Sequence, residues 1–587
     1  MSIQTLNDIF FAIAGRDQPH CMLQRAETAW VPISAHEFAT KVSGVAQALR
    51  SWGISCGDRV AILSENRHEW AVVDFACLLL GAVVVPIYTT LTPEQTAYIL
   101  ADSGARAIFV SSQKHLEKVL SILQNTNVEN IAVMDDVTDT RAIQMSSLMR
   151  LAGDIQLETT GRNVKPEDLA TIIYTSGTTG TPKGVMLTHG NMAANINYSL
   201  REFGFGDGMA CVSFLPLSHV TARSVDLGLL YCGVTLAHLP QIDQLPQALR
   251  EVRPNILLSV PRVYEKVHSQ VVLTAAKFPK KQIYSWAVKV GRAHRNEILA
   301  GKRPRSLAWK LADKLVFSKV RAGIGGRVEC FISGGAPLGR ELAEWYADIG
   351  IRIYEGYGLT ETSPVIAVNT PNAHRVGSVG RPLGNVEVRI ADDGEILVRG
   401  PSVFRAYWNK PQETRDAFID DWFKTGDIGR IDEDGFLYVT DRKKDLLKTS
   451  GGKFIAPQPI ESSCKHHPWV AEAIVIGDKR KFPAVLIIPN FPALETYARM
   501  GGLTFSTRKE LIAIPEIHAR YAEIVRSVNE DLAQFERLKK FRLIPEELSS
   551  ANGTLTASMK IRRRAIEEHF KREIEEMYSE GEVATVT

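Results

Sequence analysis

At 587 residues the chain is too long for one hydrophobic core, because single cores stop growing at roughly 250–300 residues. Hydrophobic residues make up 45% and charged residues 23%, which excludes the disordered, collagen-like and coiled-coil classes. A formal net charge of +3 gives no electrostatic reason to expect a nucleic-acid partner.

Taken in chain order, the first ~440 residues alternate strand-like and helix-like segments. The N-terminal segment lacks the basic start and long apolar core of a secretory leader. GDRVAILSENR reads as a strand and turn, and HEWAVVDFACLLLG as a buried helix. AVVVPIY then follows as a strand after a turn at Gly81. The apolar run Phe75–Ile87 is shorter than the ~18–20 residues a membrane span needs. TPEQTAYILADSG continues as helix and ARAIFVS as strand, a βαβ rhythm that implies largely parallel sheets covered by helices. PNILLSVPRVYEKVHSQV and RVECFISGGAPLGRELAEWYADIG repeat the pattern. From about Gly377 the segments shorten and carry Gly turns, as in a small antiparallel or barrel-like unit. After Asp441-Arg442 the chain turns charged, and a smaller α+β unit runs to the end. The expected organisation is an N-terminal domain 1–440, a hinge 441–446 and a C-terminal domain 447–587. Seven dispersed cysteines without CxxC or metal-type spacing read as reduced core thiols in a cytosolic protein.

The most informative segment is TIIYTSGTTGTPKGVMLTHGN, beginning at Thr171. An apolar strand enters a loop of glycines, hydroxyl side chains and Lys183, and a second apolar strand leaves it. Glycines let backbone N–H groups converge on an anion, the hydroxyls add donors, and the lysine adds charge. A Walker A loop is excluded, because Pro182 occupies the position that motif requires for glycine. Farther on, YEGYGLTETSP (Tyr354–Pro364) offers an aromatic ring, hydroxyls and a carboxylate in a tight turn.

Together these runs resemble the signatures of the adenylate-forming superfamily, which includes acyl-CoA synthetases, luciferases and peptide-synthetase adenylation domains. The resemblance covers roughly residues 30–575 with its motifs in order. It implies an α/β fold with a large N-terminal domain of βα layers, a small β-barrel and a mobile α+β C-terminal domain. It implies that Thr175, Ser176, Gly177, Thr178, Thr179, Gly180 and Lys183 hold the β- and γ-phosphates of ATP. Gly334, Gly335 and Ala336 of SGGAPL would line adenine. Tyr357 and Gly358 would lie against the base, Thr360 at the α-phosphate and Glu361 on Mg²⁺. Asp427 of WFKTGDIGRI would accept from the ribose hydroxyls, as a carboxylate facing a diol can, and Arg442 would contact the nucleotide. Lys444 falls at the pivot of the C-terminal domain. Gly451 and Gly452 fall in the tunnel that delivers the CoA thiol, and Lys448 where some relatives use a lysine in the second half-reaction. Lys560 of NGTLTASMKIRRRAIEEHF would bridge the substrate carboxylate and the α-phosphate. In the helix after it, Ile566, Phe570, Ile574 and Met577 are spaced for a core face.

FLPLSHVTARSVDLGLL resembles the acid-pocket motif of the long-chain fatty acyl-CoA synthetase branch, with His219 near the carboxylate. Some bacterial members carry a gating Trp four residues after this His; here the position is Arg223. The expected reaction is activation of a long-chain fatty acid to acyl-AMP and transfer to CoA. Loading of a carrier protein, or a medium-chain or aromatic acid, stands as the alternative. Expected partners are fatty acid, ATP and CoA, with no nucleic acid and with a homodimer left open. The basic insert between about Ser269 and Ala322 reads first as a solvated helical excursion; peripheral contact with a bilayer is its alternative reading.

Overall fold

The computed structural model describes residues 2–26, 29–151, 157–175, 181–275, 279–450, 453–549, 552–555 and 561–579. Two large sheets dominate its N-terminal part. The first has eight strands, with Arg59–Leu63 and Val83–Ile87 at its parallel centre. Next to them run Leu169–Thr175 (β1) and Lys183–Thr188 (β2), which pair with each other antiparallel. The second sheet has nine strands, whose parallel centre includes Cys330–Ser333 (β3) and Ile353–Gly358 (β4). Val365–Val368 (β5) turns back antiparallel on β4. The short strand Ala406–Tyr407 (β6) returns to the first sheet and pairs with β2 at its edge.

Two helices lie between the sheets, His68–Leu79 (α1) and Val220–Tyr231 (α2). Both pack into one cluster with side chains from each sheet. Eleven of the twelve residues of α1 are buried, so it must be apolar around nearly its whole circumference. That explains the run FACLLLG without a membrane. Among the described residues no helix is long and apolar enough to cross one.

The β-rich region forms a five-stranded antiparallel sheet that includes Trp422–Ile431 (β7) and Leu437–Arg442 (β8). Its inner face (Ile396, Val398, Leu437) packs on Ile366 and Val368 of β5, so the barrel-like unit is completed by a strand of the second sheet. In the C-terminal part a three-stranded sheet carries two apolar faces. Val475, Val485 and Ile487 face one set of helices; Ile474, Leu486 and Ile488 face the other, with Ile566, Phe570, Ile574 and Met577. The alternation is the period-two rule of a sheet covered on both sides. The terminal helix is broken at Phe570 into two short helices, yet all four expected core residues are buried. Of the cysteines, Cys56 is exposed and Cys232 half-buried, so the expectation of core thiols holds for the other five.

Candidate active site

The β1–β2 hairpin places Thr175 opposite Lys183 at the mouth of the loop 176–180. Ser176, Gly177, Thr178, Thr179 and Gly180 themselves lie outside the described residues, as do Gly451, Gly452 and Lys560. Pairing of β6 with β2 puts Tyr407 beside Val185, and the Lys183 ammonium sits 5.2 Å from the centre of the Tyr407 ring. The Tyr407 hydroxyl donates to Glu361 Oε1 at 2.9 Å. The backbone N–H of Phe404 donates to the carbonyl oxygen of Glu361 at 2.7 Å. Lys183, Tyr407 and Glu361, from three separate stretches of sequence, therefore form one corner. Burial and the Glu361 charge both push the Tyr407 phenol well above its ordinary range, which keeps it a hydrogen-bond donor.

Glu361 stands on a single helical turn, Thr360–Thr362, at the tip of the β4–β5 hairpin. Asn195, which the sequence reading passed over, holds this tip by donating to the carbonyls of Thr362 and Val365 at 3.2 and 2.7 Å. Gly358 is dictated by contact: a Cβ there would lie 1.8 Å from the Pro364 carbonyl oxygen. The hairpin can close this tightly only without a side chain at that point.

On β4 the Tyr357 hydroxyl donates to Asp427 Oδ2 at 2.7 Å. Ladder pairing of β7 with β8 sets Asp427 directly opposite Arg442, whose Nε lies 3.2 Å from Asp427 Oδ1. The Asp427 side chain is 4% exposed, so both its oxygens are held in one orientation by a phenol and a guanidinium. Tyr357 thus serves as more than a flat ring, since its hydroxyl fixes the carboxylate expected at the ribose.

Gly334, Gly335 and Ala336 follow β3 as a loop, with Gly335 at φ 82°. Beneath it, Glu355 of β4 pairs with Ser333 and accepts from the Leu338 N–H at 3.4 Å. Burial pushes its carboxyl up to about 7, with backbone N–H groups of Leu338 and Gly377 opposing the rise. Glu355 lies inside the run YEGYGLTETSP, but the resemblance gives roles only to Tyr357, Gly358, Thr360 and Glu361; the signal available was an acid at the apolar start of a strand.

His219 caps α2, its Nδ1 accepting from the Thr221 N–H at 3.2 Å, so Nε2 carries the proton of the neutral ring. One turn later Arg223 is 1% exposed and forms a two-pronged ion pair with Asp74 of α1, over the ring of Trp70. An arginine fixed in this way cannot swing as a gate.

Beyond β8, Lys443 is tied to Asp393 and Glu395 at 2.6 and 2.7 Å, while the neighbouring Lys444 is exposed in a turn. Lys448 is exposed on a two-stranded ladder, with its ammonium 5.3 Å from the Phe454 ring. In the arrangement seen, Arg262 donates to the Ala471 carbonyl at 2.7 Å, which joins the C-terminal unit to the helix Pro261–Ala275.

A carboxylate and a lysine brought together on Tyr407, with an acid–phenol–guanidinium group formed by Asp427, Tyr357 and Arg442, suit a nucleoside triphosphate. Among the described residues no cluster of three or more His, Cys, Asp or Glu gathers as a metal cage. A single hard carboxylate such as Glu361 suits Mg²⁺, which is held through one or two carboxylates plus substrate phosphates.

Residues 15–408 match the model of the AMP-binding enzyme family, and residues 444–582 match its C-terminal domain. The chain belongs to the AMP-binding enzyme family. It is 36% identical to the long-chain-fatty-acid–CoA ligase FadD15 of Mycobacterium bovis, over 96% of this chain and 95% of that protein. It is 32% identical to the peroxisomal long chain acyl-CoA synthetase 7 of Arabidopsis thaliana, over 94% of this chain and 82% of the other. Among solved structures it resembles the anthranilate CoA ligase AuaEII in complex with anthranoyl-AMP, with a TM-score of 0.75 at 20% identity and 98% of both chains covered. The adenylation domain of a carboxylic acid reductase from Segniliparus rugosus has a TM-score of 0.76 at 20% identity, covering 98% of this chain and 94% of that one. The fold of this AMP-binding enzyme is therefore that of the adenylate-forming enzymes.

Proposed function

We propose that this chain is an AMP-forming long-chain fatty acid–CoA ligase of the cytoplasm. In the first half-reaction the fatty carboxylate attacks the α-phosphate of ATP, forming acyl-AMP and expelling pyrophosphate. In the second the CoA thiol attacks the acyl carbonyl, forming the thioester and expelling AMP. The observation that carries this reading is the convergence of Lys183, Tyr407 and Glu361 beside the loop 176–180. It is supported by relatives named long-chain-fatty-acid–CoA ligase and long chain acyl-CoA synthetase, which align over 95% and 82% of their own length.

In this reading Thr175, the loop 176–180 and Lys183 hold the β- and γ-phosphates. Thr360 meets the α-phosphate, Tyr357 and the Gly334–Ala336 loop line adenine, and Asp427 with Arg442 holds the ribose. Glu361 is the protein ligand of Mg²⁺, an ion that neutralises phosphate charge when bound. His219 Nε2–H faces the acid, and Lys560 stabilises the charge that develops during adenylation. The chain divides into 1–440, 441–446 and 447–587, with rotation about Lys444 exchanging Lys560 for Lys448 and the Gly451–Gly452 path of CoA. The anchoring of Lys443 beside an exposed Lys444 suits a pivot at that point. Drawing a long-chain acid from a bilayer surface belongs to the same reading.

The deciding experiment measures AMP release from ATP, with and without CoA, across acetate, octanoate, palmitate, oleate and benzoate. CoA-dependent release that peaks with palmitate or oleate is expected. A peak with a short or aromatic acid overturns the substrate class. Acid-dependent pyrophosphate exchange without any CoA-dependent release moves the acceptor to a carrier protein.

A further inference from the structure

Twelve basic but only two acidic side chains lie between Lys280 and Arg321, in a chain whose formal net charge is only +3. This stretch forms the helix Lys280–Leu299 (α3) and a second helical run from Leu307 to Gly323 that packs on it. At Asp348 the unit is fixed to the body by two close contacts of α3. Arg295 forks onto Asp348 at 2.7 and 2.8 Å, and Gly291 lets α3 approach the Asp348 carbonyl so closely that a Cβ would lie 1.9 Å from it. The two acids are occupied within the unit, Asp313 by Arg321 and Glu297 by His294.

Arg292 also reaches Asp348, at 3.9 Å, but six other cations have no such use. Among the described residues no carboxylate lies within ion-pair distance of Lys281, Lys289, Lys302, Arg303, Lys310 or Lys314. The same unit carries five of the fifteen large apolar side chains that are most exposed in the described chain: Ile283, Trp286, Leu307, Leu311 and Leu315. Leu307 is 83% exposed, and with Leu311 and Leu315 it recurs every fourth residue along one stripe. Lys310 and Lys314 flank that stripe, and Lys281 and Lys289 line a shallow depression with Trp286.

We propose that this face docks on an anionic lipid bilayer. Exposed apolar side chains with uncompensated cations beside them form a surface that water favours only in part. Leucine and tryptophan side chains can enter the boundary of headgroups and acyl chains while lysine stems extend to the phosphates. The positive face matches the negative charge of such a bilayer, and a protein surface of comparable charge would leave the leucine stripe in water. The docking rests on the ligase reading only for its purpose, delivery of a fatty acid that partitions into lipid; the surface itself is defined without it.

The test is flotation of the full chain with vesicles of phosphatidylcholine alone or mixed with phosphatidylglycerol, at low and high salt. Wild type is expected to float with the mixed vesicles, less at high salt, and to leave neutral vesicles largely bare. Each basic side chain at such a surface is worth about fivefold in partitioning, so Lys310→Glu with Lys314→Glu should weaken binding about twenty-five-fold or more. Leu307→Ser with Leu311→Ser should weaken it about tenfold or more. Both pairs are exposed, and AMP release with soluble octanoate in the absence of vesicles should be unchanged in each, which verifies folding. Variants that float like wild type, or wild-type binding indifferent to phosphatidylglycerol, overturn the surface. A wild type that floats but releases no AMP with any acid overturns the ligase reading and leaves the surface standing.

Discussion

Replacing Asp427 by Asn tests the nucleotide end of the site, because the structure specifies what the change removes. The carboxylate is nearly fully buried and receives the Tyr357 hydroxyl at 2.7 Å and Arg442 Nε at 3.2 Å. Asparagine keeps the shape: its carbonyl can still accept from Arg442, and its amide can donate to the Tyr357 oxygen. What disappears is the charge, and with it the strength of a hydrogen bond from a ribose hydroxyl to an ionised acceptor, about 2–3 kcal/mol. The KM for ATP should rise about 30- to 150-fold, with the KM for the fatty acid little changed. Tyr357→Phe removes one orienting hydrogen bond and leaves the acceptor charged, so its KM for ATP should rise only about fivefold. Initial rates of AMP release at varied ATP and saturating acid and CoA measure both, and calorimetric titration with ATP checks that KM follows binding. An Asp427→Asn enzyme whose KM for ATP stays within about threefold of wild type would refute the reasoning. So would a Tyr357→Phe enzyme more impaired than Asp427→Asn.

Arg223→Met or Asp74→Asn alone should destabilise the protein by about 3–5 kcal/mol, since each leaves the other group charged and buried, whereas Arg223→Met with Asp74→Leu should recover most of the loss. Thermal midpoints of the three variants check this, and additive losses would count against a coupled pair. Glu355 holds its proton in the folded chain up to about pH 7, whereas the unfolded carboxyl gives it up near 4.5. Its contribution to stability is therefore complete below 4.5, declines as pH rises to 7 and is level above; Glu355→Gln should flatten that stretch of a midpoint-versus-pH profile relative to wild type. Tyr407→Phe removes the donor that orients Glu361 and should weaken binding of Mn²⁺·ATP, read by water proton relaxation, about fivefold while ATP binding without metal is unchanged.

Much of this molecule is written in contiguous residues. The strand–loop–strand run around Lys183 folds as an antiparallel hairpin, and the apolar helix before Gly81 is buried between sheets. The Ile566–Met577 spacing likewise forms a core face. Each depends on interactions within a few residues: strand alternation, helical period, and glycine where the backbone turns. The adenylate-forming motifs are legible for the same reason, because a phosphate loop is built from neighbouring N–H groups and hydroxyls.

What the tertiary structure alone decided is the company each side chain keeps. Tyr407 meets Lys183 and Glu361 because a two-residue strand pairs with the edge of a sheet more than two hundred residues earlier in the chain. Tyr357 is tied to Asp427 across 70 positions, and Arg223 to Asp74 across 149. No local pattern encodes strand register between distant segments, so an arginine on an apolar helix reads as an anomaly until its buried aspartate is found. The raised pKa of Glu355 has the same origin, since the loss of water around a carboxyl is a property of everything packed upon it.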